Sequence, residues 1–112
     1  MITNQLTALV LAACVATASS AQTYAVFGNR SCGTWLKERE DKSFGQTVMQ
    51  NWLMGYLSGR SYHLRGDPLR GLEGESAYLF LDNHCRSKPL DSLADAADAL
   101  VAEMSRRSRP TR

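Results

Sequence analysis

From Cys32 to Met104 apolar side chains recur at three- and four-residue spacing, interrupted by short polar stretches. That period places side chains on one face of a helix, so the pattern predicts helices. Ser31 can cap a first helix running to about Asp41, with Cys32, Trp35 and Leu36 as its apolar stripe and Lys37 to Lys42 as its solvated end. Ser43 can cap a second, where Phe44, Val48 and Trp52 together with Met49, Leu53, Tyr56 and Leu57 give a broad apolar face. Gly55 and Gly59 stand four apart on that helix, each costing roughly 1 kcal/mol of helix propensity relative to alanine. Small residues at this spacing admit a close backbone neighbour. Tight internal packing is the expectation, with a homodimer contact as the alternative.

Residues 60–74 read as a loop, punctuated by Gly66, Pro68, Gly71 and Gly74 and kept wet by Arg60, Arg65, Asp67, Arg70 and Glu73. Ala77 to Leu81 is a continuous apolar run that suits a buried strand or a helix. No second strand-like run exists for it to pair with, so a helix over about Glu75 to Arg86 is expected. In the last helix Pro89 suits the first turn, and Leu90, Leu93, Ala97, Leu100, Val101 and Met104 make the apolar face. Its acidic residues come early and its arginines late, which complements the helix dipole. The fold class that follows is all-α, a small four-helix orthogonal bundle.

The segment before Arg30 changes the picture, because it holds no charged side chain. Leu6 to Ala18 is thirteen residues of Leu, Ala, Val, Thr and Cys, too short to span a bilayer as a helix. It suits the apolar region of a signal peptide, with Ser19-Ser20-Ala21 as the small-residue cleavage site. The expected organisation is therefore a signal peptide at 1–21, an irregular lead at 22–30, a helical domain at 31–104 and a basic tail at 105–112. A rival reading lies in Leu11-Ala12-Ala13-Cys14, which fits a bacterial lipobox and would make Cys14 a lipidated N-terminus. Either way the product is expected outside the cytoplasm, in the periplasm or anchored to a membrane there, with no transmembrane segment.

Cysteine usage agrees with export. Cys14 goes with the leader, so Cys32 and Cys85 remain, and two cysteines in a small exported domain most simply form one disulfide. The formal charge of the 112-residue chain is +2. Removing Arg106, Arg107, Arg109 and Arg112 leaves nine basic against eleven acidic residues, a net of −2. A nucleic-acid binder needs basic surface across the fold rather than at its end, so no nucleic acid is expected.

Chemistry-bearing patterns are few. No zinc-type cysteine pairs, glycine-rich phosphate loop or nucleophile elbow is present, and no cofactor, metal or enzymatic activity is expected. Glu75 and Asp82 stand seven apart on one helical face, as a paired-carboxylate hydrolase would want, but acids on an exposed face usually serve solvation. A partner-binding surface is a better expectation. Its candidates are Trp52, Tyr56 and Tyr62 as aromatics and Arg65, Asp67 and Arg70 from the long loop.

Cys32 followed by Trp35, then Trp52-Leu53-Met54-Gly55-Tyr56-Leu57-Ser58-Gly59, then Leu81-Asp82-Asn83-His84-Cys85-Arg86-Ser87-Lys88-Pro89-Leu90, resembles small exported proteobacterial proteins. The pattern is similar to the HdeA/HdeB acid-stress chaperones and to the Rap/Tai immunity proteins of type VI secretion, over about residues 32–104. The first resemblance implies a protein that loosens in acid and coats unfolding clients. The second implies one that stays folded and blocks a toxin effector. The Gly/Arg-rich loop and the arginine tail depart from the chaperones. The partner expected is another protein, either an unfolded client or a toxin effector.

Overall fold

The computed structural model describes residues 25–109. The proposed signal segment, Cys14 and the end of the tail lie outside them. Four helices follow in chain order: α1 (Cys32–Asp41), α2 (Phe44–Tyr62), α3 (Gly74–Ser87) and α4 (Leu93–Arg107). No strand interrupts them among the described residues. The run Ala77 to Leu81 is helical, and an all-α four-helix globule closed by a Cys32–Cys85 disulfide is the result.

Local signals set most of the boundaries. The Ser31 hydroxyl accepts from the Thr34 amide at 3.1 Å, satisfying one of the free donors at the start of α1. Lys42 ends α1 in the left-handed conformation, with φ 50°. Ser43 stands before α2 without capping it through its side chain, because its hydroxyl donates to Glu38 instead. The second helix reaches Tyr62, three residues into the stretch expected as loop.

The start of α4 departs from expectation. Pro89 lies outside the helix, in a turn, and Leu90 is fully exposed rather than on the apolar face. Ser92 begins the helix with a capping box: its hydroxyl accepts from the Asp95 amide at 3.2 Å, and its own amide donates to the Asp95 carboxylate at 2.9 Å. Two satisfied donors outweigh the preference of proline for a first turn. Replacing the hydroxyl in Ser92→Ala should cost about 1 kcal/mol, read as a fall in Tm of roughly 4–8 °C for a domain of this size. An unchanged Tm would mean that the box contributes nothing.

The lead before α1 is stitched to the same place. Cys32 N–H donates to the Asp91 carbonyl at 2.9 Å and Leu93 N–H to the Arg30 carbonyl at 2.8 Å, forming an isolated antiparallel bridge between Ser31 and Ser92. Asn29 Oδ1 accepts from the Ala94 amide at 3.0 Å, a cap on α4 delivered from 65 residues away.

The core takes Trp35 from α1, Leu53 and Leu57 from α2, Ala77 and Leu81 from α3, and Leu93, Ala96, Ala97, Leu100 and Val101 from α4. α1 and α3 run antiparallel in a fixed register. Cys32 meets Cys85, Trp35 meets Asp82, and the Arg39 guanidinium lies over the Tyr78 ring. Each step along α1 is matched by a step back along α3, so the disulfide sets which side chains face each other.

Candidate functional site

Three features carry chemistry or exposed surface, and they lie apart. The first is a polar clamp between α1 and α3. The Asp82 carboxylate accepts from the Trp35 indole N–H at 2.8 Å, from Arg39 Nε at 3.0 Å and from Arg39 Nη2 at 2.8 Å. Asp82 is 6% exposed, the one buried charged residue among the described residues. This corrects the expectation of a solvated acid. Asp82 has no contact with Glu75 that would make a carboxylate pair, and its oxygens are taken up by Arg39 and Trp35. Burial pushes its carboxyl up, but the hydrogen bonds from Arg39 and Trp35 outweigh that and hold it below the ordinary value of 3.8. The same contact raises the Arg39 guanidinium. The guanidinium also lies 5.7 Å from the Trp35 ring centroid and 5.8 Å from that of Tyr78.

The second feature is an apolar groove of about 510 Å³ along α2. Trp52 and Tyr56 stack with centroids 5.1 Å apart on one side, and Val26 and Phe27 of the lead form the other. Gly55 and Gly59 lie between, and a Cβ at either would meet nothing within 4 Å among the described residues. Among the described residues no neighbouring element packs closely on these glycines, so the expected tight internal packing is not found there. The Trp52 indole donates to the Phe27 carbonyl at 2.7 Å and holds the lead in place. Gly28 is required there, since it sits at φ 73° and a Cβ would come 2.9 Å from the Trp52 ring. Tyr56 and Arg60 both donate to Asp98 Oδ1, at 2.9 and 3.1 Å, tying α2 to α4.

The third is the loop between α2 and α3. Pro68 is buried and Leu64, Leu69 and Leu72 pack against the core, while Arg65, Asp67 and Arg70 are exposed. Asp67 (φ 48°), Gly66 and Gly71 take left-handed backbone that turns the chain. Tyr62 stands exposed at the end of α2, edge-on to the His63 ring.

The six predicted partner-binding residues thus divide. Trp52 and Tyr56 border the groove, while Arg65, Asp67 and Arg70 ride on the anchored loop and Tyr62 lies at the end of α2. Sequence reasoning missed the clamp and the open glycines. The disulfide was the signal for the clamp: pairing Cys32 with Cys85 in antiparallel helices puts Trp35 opposite Asp82. The broad apolar face of α2 is also two faces. Met49, Leu53 and Leu57 are buried, whereas Phe44 and Val48 are exposed.

At the far end of α4 the Glu103 carboxylate accepts from Arg106 and Arg107, and these hydrogen bonds draw its pKa down to about 2. The first two tail arginines are therefore helical and paired within the chain. Among the described residues no helix is long and apolar enough to cross a membrane, and no group of three or more His, Cys, Asp or Glu side chains could hold a metal ion.

The class these features define is a four-helix protein clamped by a disulfide and a buried ion pair, with an open apolar groove. No protein-family model, curated protein or solved structure matches the chain.

Proposed function

We propose that the protein is an exported protein-binding protein, a stress chaperone similar in action to the HdeA type, working in the periplasm on clients that unfold in acid. The observation that carries this reading is the Asp82 clamp. One buried carboxylate, aided by the Cys32–Cys85 bond, holds α1 against α3, and Trp35 and Leu81 lie beneath. A carboxylate whose folded pKa is depressed stabilises the fold above its unfolded value and ceases to do so as pH falls through the folded one. The clamp therefore holds at neutral pH and lets go only below the ordinary carboxylate value of 3.8. Its release frees apolar surface while the disulfide keeps the two helices tethered.

The test titrates disulfide-intact protein from pH 7 to about pH 2, following near-ultraviolet circular dichroism and a hydrophobic dye, with a client-aggregation assay at the acid end. Reversible loss of tertiary signal, dye binding and suppression of client aggregation are expected. A fold that stays rigid to the acid end, or loosens without protecting any client, overturns the reading.

A second reading draws on the loop. Arg65, Asp67 and Arg70 are exposed on a turn anchored by Pro68, a fixed polar surface of the kind an immunity protein would set against a toxin effector. Binding to a toxin encoded by a neighbouring gene, lost on Arg65→Ala/Arg70→Ala, would favour it. In a third reading, an envelope accessory lipoprotein, Cys14 would carry the lipid, and the mass of the exported product decides that point.

A further inference from the structure

The geometry points to a binding site for a small organic carboxylate bearing an amide, in the polar pocket where the end of α1, the turn into α2 and the last turns of α3 meet. The inference does not rest on the chaperone reading, and the pocket is separate from the groove on α2. Its volume is about 580 Å³, within the range of small-molecule sites. Three cations line it: Arg39 and Lys42 at the end of α1, and Arg86 on α3, one turn beyond Asp82. The acids that line it are Asp82 and Glu40. Three cations against two acids leave one net positive charge.

Arg39 is the fixed point of the pocket. Asp82 accepts from its Nε and from its Nη2, which occupies one edge of the guanidinium. A guanidinium carries five N–H donors in a rigid plane, so three remain. The second edge, Nη1 with the other N–H of Nη2, makes no hydrogen bond among the described residues. That edge is a two-donor fork with the spacing of the two oxygens of a carboxylate. The guanidinium is also held in place before any ligand arrives, by Asp82 on one edge and by the rings of Trp35 and Tyr78 within 6 Å. A donor pair already ordered by the fold loses little entropy on binding.

The rest of the lining narrows the ligand class. Lys42 makes no ion pair among the described residues, and Arg86 has only a 3.3 Å contact to Asn83 on the surface. Both charges are available to a bound anion. Glu38, the other acid of this end of α1, is engaged by the Ser43 hydroxyl and does not line the pocket. One net positive charge with two carboxylates close by suits a monoanion and opposes a dianion such as phosphate. Leu36 packs against the core and gives the pocket an apolar wall. Gln46, half-buried in the first turn of α2, brings a side-chain amide that both donates and accepts. A carboxylate for the fork, an amide for Gln46 and a short apolar group for Leu36 describe one molecule, an acylated amino acid.

Titration of N-acetyl-leucine into the exported, disulfide-intact protein at neutral pH, followed by amide NMR shifts, reads this directly. Saturable binding with a Kd of about 1 mM or tighter is expected, with the shifts gathered at residues 36–46 and 82–86. N-acetyl-leucinamide has the same body without the charge and should bind at least about tenfold more weakly. Lys42→Gln and Arg86→Gln should each weaken binding about two- to fivefold, and Glu40→Gln should strengthen it by a similar factor. All three side chains are exposed, so the Tm should stay near that of the wild type. The gain in Glu40→Gln is an effect that damage to the fold would not produce. No binding up to about 10 mM overturns the proposal, as does an amide that binds as well as the acid. Shifts confined to the groove on α2 overturn it too. Inorganic phosphate binding more tightly than N-acetyl-leucine would sink the assignment to a carboxylate.

Discussion

Replacing both bridging cysteines, in Cys32→Ala/Cys85→Ala, should lower the stability of the domain by about 4 kcal/mol. The bond links residues 53 apart in sequence. Closing a loop of that size removes much of the freedom of the unfolded chain, and the chain-entropy relation gives the stated magnitude. A domain of this size has on the order of 5–10 kcal/mol to lose. Both sulfurs belong to fully buried residues of the core, so the alanines also leave a small cavity there. Chemical denaturation of the oxidised wild type against the double variant, at neutral pH, measures the difference. A change below about 1 kcal/mol would mean that the unfolded chain keeps residual structure that already limits its freedom. The expected loss has a further consequence. A reduced chain would be marginal, so stable folding would follow oxidation, and oxidation belongs outside the cytoplasm.

What could be read from the sequence follows from how local its causes are. The four helices were legible because each carries its own signal: a three-to-four apolar period, with serines before the first two. The disulfide was legible because only Cys32 and Cys85 remain beyond the proposed leader. The features that failed depend on partners far away in the chain. Asp82 looked like an acid on a wet face, since its neighbours in sequence say nothing of Arg39 and Trp35, 43 and 47 residues earlier. Gly55 and Gly59 suggested close packing, and whether another backbone of this chain reaches them is decided by the path of the other helices. The start of α4 failed for a local reason instead: Pro89 suited a first turn, whereas the capping box of Ser92 with Asp95, three residues on, sets the boundary. Of the candidate surface, the residue types were legible. Their division between a groove on α2 and an anchored loop was not, because it depends on where Phe27 and Pro68 dock.

The other large effect is expected from Asp82→Ala. The substitution leaves the Arg39 guanidinium and the Trp35 indole N–H without their acceptor in a part-buried position. Removing one partner of a buried ion pair costs about 3–5 kcal/mol, because the remaining charge stays desolvated and unpaired. Arg39 keeps 22% of its side-chain surface in water, which softens the penalty toward about 3 kcal/mol. At neutral pH this should appear as a Tm lower by roughly 12–24 °C. The pH dependence separates the ion pair from simple packing. In the wild type the contribution of Asp82 is complete above the ordinary carboxylate value of 3.8 and is lost as pH falls through the depressed folded value. The difference between wild type and Asp82→Ala should therefore be greatest at neutral pH and shrink in strong acid, where the wild-type carboxyl is protonated too. Asp82→Asn keeps an acceptor for the indole and removes only the charge, so it should fall between the two and flatten the acid limb. If wild type and Asp82→Ala instead differ by the same amount at every pH, the clamp acts by shape alone and α1 has no acid release.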